Sequence, residues 1–185
     1  MVKLTKIYTR TGDHGESGLV GGTRLKKSAL QFSAIGDVDE ANAAIGFASA
    51  VISKSSTSYE VLQQVQNDLF DLGADLATPV DIVGALRMSS DATQWLEQGI
   101  DSLSENLEPL ASFVLPGGKE GAARIHLART VVRRAERTVA TLAEAQSLNP
   151  EILKYLNRLS DLLFQMSRVQ NQNGELDILW KPGGV

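Results

Sequence analysis

The sequence predicts an all-α fold: one domain built as a five-helix bundle, with a Gly-rich segment leading into it. Three observations carry that expectation. Beyond residue 38 the apolar residues recur at helical spacing in five separate runs. Aromatic residues make up only 5% of the chain while Ala, Leu, Val and Gln are plentiful, which favours helix over sheet. The connections "KSST" and "EAQSL" are short enough that the helices they join should run antiparallel. At 185 residues this is one ordinary domain, long enough to bury a core.

The elements follow in order. A helix over 37–53 rests on Val38, Ala41, Ile45, Ala48 and Ile52, a small-residue stripe. Asp37, Asp39 and Glu40 would open it, where carboxylates suit the positive end of the helix dipole. The second, over 58–77, is marked by Leu62, Val65, Leu69, Leu72 and Leu76. The third, over 91–108, carries Leu96, Ile100, Leu103 and Leu107, and Asp91 with Gln94 resembles a capping box. Ile125, Ala128, Val132, Ala135, Val139 and Leu142 define the fourth, over 119–145. Ile152, Leu156, Leu159, Leu163 and Met166 define the fifth, over 150–171, which Asn149 and Pro150 start as N-cap and first helical residue. The longer connections, 78–90 and 109–118, contain turn residues such as Pro79, Gly84 and the "SFVLPGG" stretch. No internal repeat or linker divides the chain, leaving 1–36 as an N-terminal segment, 37–171 as the bundle and 172–185 as a tail.

Composition removes several function classes. A net charge of −4 offers no field for nucleic acid or an anionic membrane. There is no cysteine, hence no disulfide, thiolate metal site or cysteine nucleophile. The N-terminus has no apolar core of a signal peptide, and no apolar run reaches about 18 residues, so the protein is read as cytoplasmic. His14 and His126 are the only histidines, and neither stands in a His-Glu-x-x-His or Glu-x-x-His pattern. His126 reads as a packed, hydrogen-bonded core residue.

What chemistry remains lies in polar groups at helical spacing and in the glycines. Arg129, Arg133 and Arg137 fall four residues apart on one face, with Glu136 beside it and Arg134 turned about 100° from Arg133. A generic stripe of this kind is most often solvated surface; like charges so stacked also invite an anion or partner carboxylates, which Asp39 and Glu40 could supply. Asn157 sits between core leucines and needs a partner, either a neighbouring helix or a ligand. Residues 9–22 hold five glycines interleaved with Thr9, Thr11 and Ser17, and Arg10, Arg24, Lys26 and Lys27 add charge. Glycines let backbone N–H groups approach an anion, although no Walker-type loop is present and a flexible arm is the default for such a stretch. Phe113, the one large aromatic in a loop of turn residues, reads by itself as an anchor against the bundle.

Taken together, "IYTRTGDHGESGL", "GGTRLKK", "GDVDEANAAIG", "FVLPGG", "HLARTVVRRAER", "LNRLSDLLF" and "DILWKPGG" resemble the PduO-type ATP:cob(I)alamin adenosyltransferases, or corrinoid adenosyltransferases. The resemblance spans Lys6 to Gly184. It implies a five-helix bundle, a homotrimer with active sites between subunits, and transfer of the 5′-deoxyadenosyl group of ATP to Co(I) of cobalamin, with Mg²⁺ assisting. By the same resemblance the ATP loop is Thr9, Arg10, Thr11, Gly12, Asp13, His14, Gly15, Glu16, Ser17 and Gly18, followed by Lys27, and it should move until nucleotide binds. Arg133, Arg134, Glu136, Arg137 and Asn157 complete the nucleotide site. Asp39 and Arg129 match a pair that bridges subunits, and Phe113 matches the aromatic beneath the corrin. A reductase supplying Co(I) and an adenosylcobalamin-dependent enzyme are the implied partners.

Two positions depart from the pattern: His14 stands where relatives commonly carry aspartate or lysine, and Gln31 where many carry arginine. A non-catalytic corrinoid carrier would use the same bundle but has no need of a triphosphate site. A helical interaction module leaves Asn157 and the stacked arginines without a purpose.

Overall fold

The computed structural model describes residues 7–184, so Lys6, where the resemblance begins, lies outside the described residues. Five helices form the body: α1 (Leu30–Ser49), α2 (Thr57–Leu76), α3 (Ser90–Ser104), α4 (Glu120–Ala145) and α5 (Pro150–Gln170). The principal packing pairs are α1 with α2, α1 with α4, α4 with α5, and α3 with α5. The two longest helices, α4 and α5, are therefore central. Four short strands, β1 (Glu16–Gly18), β2 (Arg24–Lys26), β3 (Val114–Leu115) and β4 (Ile178–Leu179), make two antiparallel ribbons, β1 with β2 and β3 with β4.

Four of the five anticipated stripes are the core; in α3, which ends at Ser104 and not near residue 108, only Leu96 is fully buried, Ile100 and Leu103 are partly so, and Leu107 lies past the helix. The stripes of α2, α4 and α5 are each at most 2% exposed throughout, and Val38, Ala41, Ile45, Ala48 and Ile52 are buried with them. Helix α5 begins as expected: Asn149 Oδ1 accepts from Glu151 N at 3.1 Å, with Pro150 at the first helical position. Asn149 Nδ2 also donates to the buried Asp75 carboxylate at 2.7 Å, which takes Arg87 Nη1 at 2.6 Å and Met88 N at 2.8 Å. That network pins the α2–α3 connection to the start of α5.

Two local expectations are corrected. Helix α1 starts at Leu30, seven residues before the sequence reading had it, so Asp37, Asp39 and Glu40 lie inside the helix and do not sit on its dipole. Its first turns were hidden because Gln31, a polar residue, occupies a core position; its amide donates to Leu76 O and accepts from Gln146 Nε2 at 2.6 Å. Asp37 instead accepts from Thr138 Oγ1 of α4 at 2.5 Å. At α3 the N-cap is Ser89, which places Asp91 in the first turn where a capping box has no role for it.

The Gly-rich segment is a hairpin. Leu19 N donates to Thr23 O at 2.8 Å, and the turn between them uses Gly21 and Gly22 at φ +87° and +89°, where any side chain would be strained. Val20 N donates to Ala77 O at 3.0 Å, fastening the hairpin to the C-terminal end of α2.

Candidate active site

The basic face of α4 leads into an open cleft. Arg129 from α4, Phe164 from α5, the connection around Phe113 and the tail at Trp180 and Pro182 line a cavity of about 660 Å³, a size suited to a small-molecule ligand. Phe113 is 76% exposed and cannot be the loop anchor that its loop context alone suggested. Its ring lies 6.0 Å from that of Trp180 at a tilt of 58°, and Trp180 N donates to Phe113 O at 2.7 Å. The two aromatics form one wall, carried by the β3–β4 ribbon.

Arg129 places its guanidinium 6.0 Å from the Phe164 ring centroid, a cation–π distance. Its Nε has no hydrogen-bond partner among the described residues. Burial, and the Arg133 charge one turn on, lower its pKa from the ordinary arginine value. His126, one turn earlier, packs edge-on against Phe164 and is 1% exposed. It is packed as expected but not hydrogen-bonded, since both ring nitrogens lack a partner among the described residues. Burial lowers its pKa first, Arg129 adds to that, and Asp177 opposes it.

Further along α4, Arg133 is exposed and its guanidinium is unpaired among the described residues. Arg137 Nη1 donates back to Arg133 O at 3.0 Å. Arg134 turns away, as its spacing required, and forms an ion pair with Glu40 of α1, with Asp37 at 3.9 Å; Glu40 raises its pKa. Glu136 accepts from Asn157 Nδ2 at 3.0 Å, joining α4 to α5, and Arg158 Nη1 donates to Asn157 Oδ1 at 2.8 Å. Asn157 is thus an exposed interhelical link and not a residue embedded in the core. Asp39 is exposed and unpaired among the described residues.

The loop before the hairpin gathers its own polar groups. A Cβ on Gly12 would stand 3.1 Å from Lys27 Nζ, so the lysine lies directly over the loop. Arg24 Nη2 donates to Thr11 O at 2.8 Å and to Glu16 O at 3.3 Å, and Thr9 and Thr11 hydroxyls are 2.9 Å apart. Arg10 and Gly15 take left-handed backbone at φ +61° and +79°, curling residues 10–15 around Asp13 and His14, both exposed. Ser17 and Gly18 belong to β1. No hydrogen bond or ion pair among the described residues joins this loop to Arg129, Arg133 or Arg137. The hairpin residues Leu19, Thr23 and Leu25 share a cavity with Gln146, just past the end of α4 and about 20 Å of helix beyond Arg133. The loop and the α4 face are therefore two separate polar groupings among the described residues.

The family model described as cobalamin adenosyltransferase matches residues 7–170. The chain belongs to that family. It is 49% identical over 188 residues to the corrinoid adenosyltransferase of Mycobacterium tuberculosis, covering 99% of this chain and 96% of the relative. It is 43% identical over 180 residues to the cobalamin adenosyltransferase of Cupriavidus metallidurans, covering 97% and 96%. Among solved structures, a variant PduO-type ATP:corrinoid adenosyltransferase from Lactobacillus reuteri complexed with cobalamin and ATP superimposes with a TM-score of 0.89 at 35% identity, covering 95% of this chain and 99% of that one. Phe164 and Trp180 line the cleft although the sequence reading gave neither a role. Trp180 could have been found as the second large aromatic among turn residues. Phe164 follows the core residues Leu162 and Leu163 and gives no such signal.

Proposed function

We infer that this adenosyltransferase moves the 5′-deoxyadenosyl group of ATP to Co(I) of a corrinoid, with cobalamin as the substrate, and releases triphosphate. The observation that carries the reading is a single cleft in which an aromatic wall, Phe113 and Trp180, shares the lining with Arg129, the first residue of an arginine stripe that continues one turn on to Arg133. A flat apolar macrocycle suits the first and a polyphosphate the second.

The electron pair on Co(I) forms the Co–C5′ bond while the C5′–O bond breaks, and its electrons leave on the triphosphate oxygen. No proton need be taken, so no serine, cysteine or histidine base is required. Catalysis reduces to alignment and to stabilising the charge that develops on the leaving group. Arg133, unpaired within the chain, is assigned to the polyphosphate. Thr9 to Gly18 with Lys27 enclose the nucleotide, and Arg134, Glu136, Arg137 and Asn157 complete its site. Mg²⁺, when bound, would neutralise charge on the polyphosphate. Such an ion would be held chiefly by phosphate oxygens and water.

Since no hydrogen bond or ion pair among the described residues joins the loop to the α4 face, the complete site is assigned to the boundary between copies in a homotrimer. The unpaired Asp39 and the partnerless Arg129 Nε support a contact between subunits there. Because Co(I) must be generated by an electron donor, a reductase acts before this enzyme, and an adenosylcobalamin-dependent enzyme takes the product. No helix among the described residues is long and apolar enough to cross a membrane, and we assign the protein to the cytoplasm.

Incubation with ATP and chemically reduced cobalamin, followed by absorbance, tests the reading. Formation of a photolabile Co–C product with release of triphosphate is expected. Corrin binding without a new Co–C bond would leave a carrier instead.

A further inference from the structure

The aromatic wall stands on a ribbon that has no obvious means of staying in place. Strands β3 and β4 have two residues each, too few for independent stability. Phe113 and Trp180 are 76% and 44% exposed, so their own burial does little to hold it. Directly beneath lies a buried polar cluster that the family match, ending at residue 170, does not reach in full.

Asp177, the residue before β4, has a side chain only 3% exposed. Its Oδ2 accepts from Arg168 Nε at 2.9 Å and its Oδ1 from Asn171 Nδ2 at 3.0 Å. Arg168 Nη2 donates to Glu108 O at 2.8 Å, near the start of the α3–α4 connection. Asn171 Oδ1 accepts from Lys119 N at 3.0 Å, at its end. Arg168 and Asn171 at the C-terminal end of α5, with Asp177 just before β4, thus tie the start of β4 to both ends of the α3–α4 connection that carries β3. The glycines agree: a Cβ at Gly118 would collide with the Asn171 amide, and one at Gly174 would stand 3.1 Å from Arg168 Nη2 and 3.3 Å from Asp177 Oδ2. The chain has left room for these side chains and for nothing else.

A buried ion pair is a poor source of net stability, because desolvation offsets most of the attraction. What it supplies is a single geometry, since each partner is satisfied in only one arrangement. We propose that Arg168, Asn171 and Asp177 are positioning residues that set the Phe113–Trp180 wall against the corrin, through the ribbon that carries it. The proposal rests on the adenosyltransferase reading for its corrin, but its mechanical part does not.

The test uses the full-length protein with Trp95→Phe, which leaves Trp180 as the only tryptophan. Into it go Asp177→Asn and, separately, Arg168→Lys, each keeping size while breaking the cluster. Acrylamide quenching of Trp180 reports the wall without any turnover, and steady-state assays separate the two substrates. The expected result is Trp180 quenched at least twofold more readily, kcat for adenosylation lowered about 10- to 100-fold, as loss of a charged hydrogen bond predicts, and KM for ATP within twofold of the parent. Unchanged quenching in a folded variant overturns the proposal, as does an ATP KM that rises by the same factor as the corrin KM. If Asp177→Asn does not fold, the same readings on Arg168→Lys decide. A parent that forms no Co–C bond defeats the functional reading alone, and quenching still judges the cluster.

Discussion

Replacing Phe113 by alanine separates a structural ring from a functional one. Burying a phenylalanine completely contributes about 1.5–3 kcal/mol. At 76% exposure roughly a quarter of that is realised, about 0.4–0.8 kcal/mol. The tilted contact with Trp180 at 6.0 Å adds about 0.5 kcal/mol, the low end for an aromatic pair in a solvated setting. A loss near 1 kcal/mol lowers Tm by about 2–4 °C in a chain of this length. Binding of ATP, centred on other residues, should not change. Under the proposed function adenosylation should fall far more, because an apolar ring beneath the corrin would exclude water and the cofactor's own base from cobalt. Without that axial donor Co(II) is easier to reduce, so the deficit should be largest when cob(II)alamin is reduced on the enzyme and smaller when Co(I) is supplied. Thermal melts, ATP titration and the two adenosylation assays measure each part. A drop of 8 °C or more with normal turnover of the folded fraction refutes the reasoning and makes Phe113 a structural residue after all.

Arg133→Ala, which removes a guanidinium with no partner in the chain, should leave Tm nearly unchanged and cut ATP affinity or turnover about 10- to 150-fold; normal values for both take Arg133 out of the site. Asp39→Ala and Arg129→Ala should each impair activity or trimer assembly, and the double variant should lose less than the sum, whereas strict additivity in kinetics and sedimentation argues against contact between the two. His126 carries a pH prediction. Its folded pKa is lowered by burial, so below the unfolded value of 6.5 the unfolded chain binds a proton that the folded one resists. Stability should fall as pH drops through that value and level off once the folded pKa is passed. His126→Phe keeps the ring edge against Phe164 and should flatten this part of the Tm–pH curve; parallel curves for the two proteins would show that His126 does not contribute.

Most of the bundle is legible in the sequence because burial of a helix leaves a record at fixed spacing. Leu62 to Leu76, Ile125 to Leu142 and Ile152 to Met166 are each apolar at every third or fourth position, and all of these are core. The record fails where a polar side chain takes a core position and finds its partners far away. Gln31 hid the first turns of α1 in this way, being satisfied only by Leu76 and Gln146. Ribbon strands of two and three residues are likewise too short for alternation to show.

For the site, the sequence alone determined the arginine stripe on α4, the turn-forming glycines and, through seven motifs in order, the family. These depend on local geometry and on the identity of residues, both of which are present in the chain as written. Only the tertiary structure decided which charges remain available. It committed Arg134 to Glu40, joined Asn157 to Glu136, left Arg133 and Asp39 unpaired among the described residues, and turned Phe113 outward beside Trp180. It also brought Arg168, Asn171 and Asp177 into one buried cluster. The physical reason is that a hydrogen bond or ion pair is set by distance in space. Arg134 and Glu40, or Phe113 and Trp180, are far apart in the chain and meet only when the elements carrying them have packed, and even the nearby Arg168 and Asp177 meet only because the chain folds back after α5.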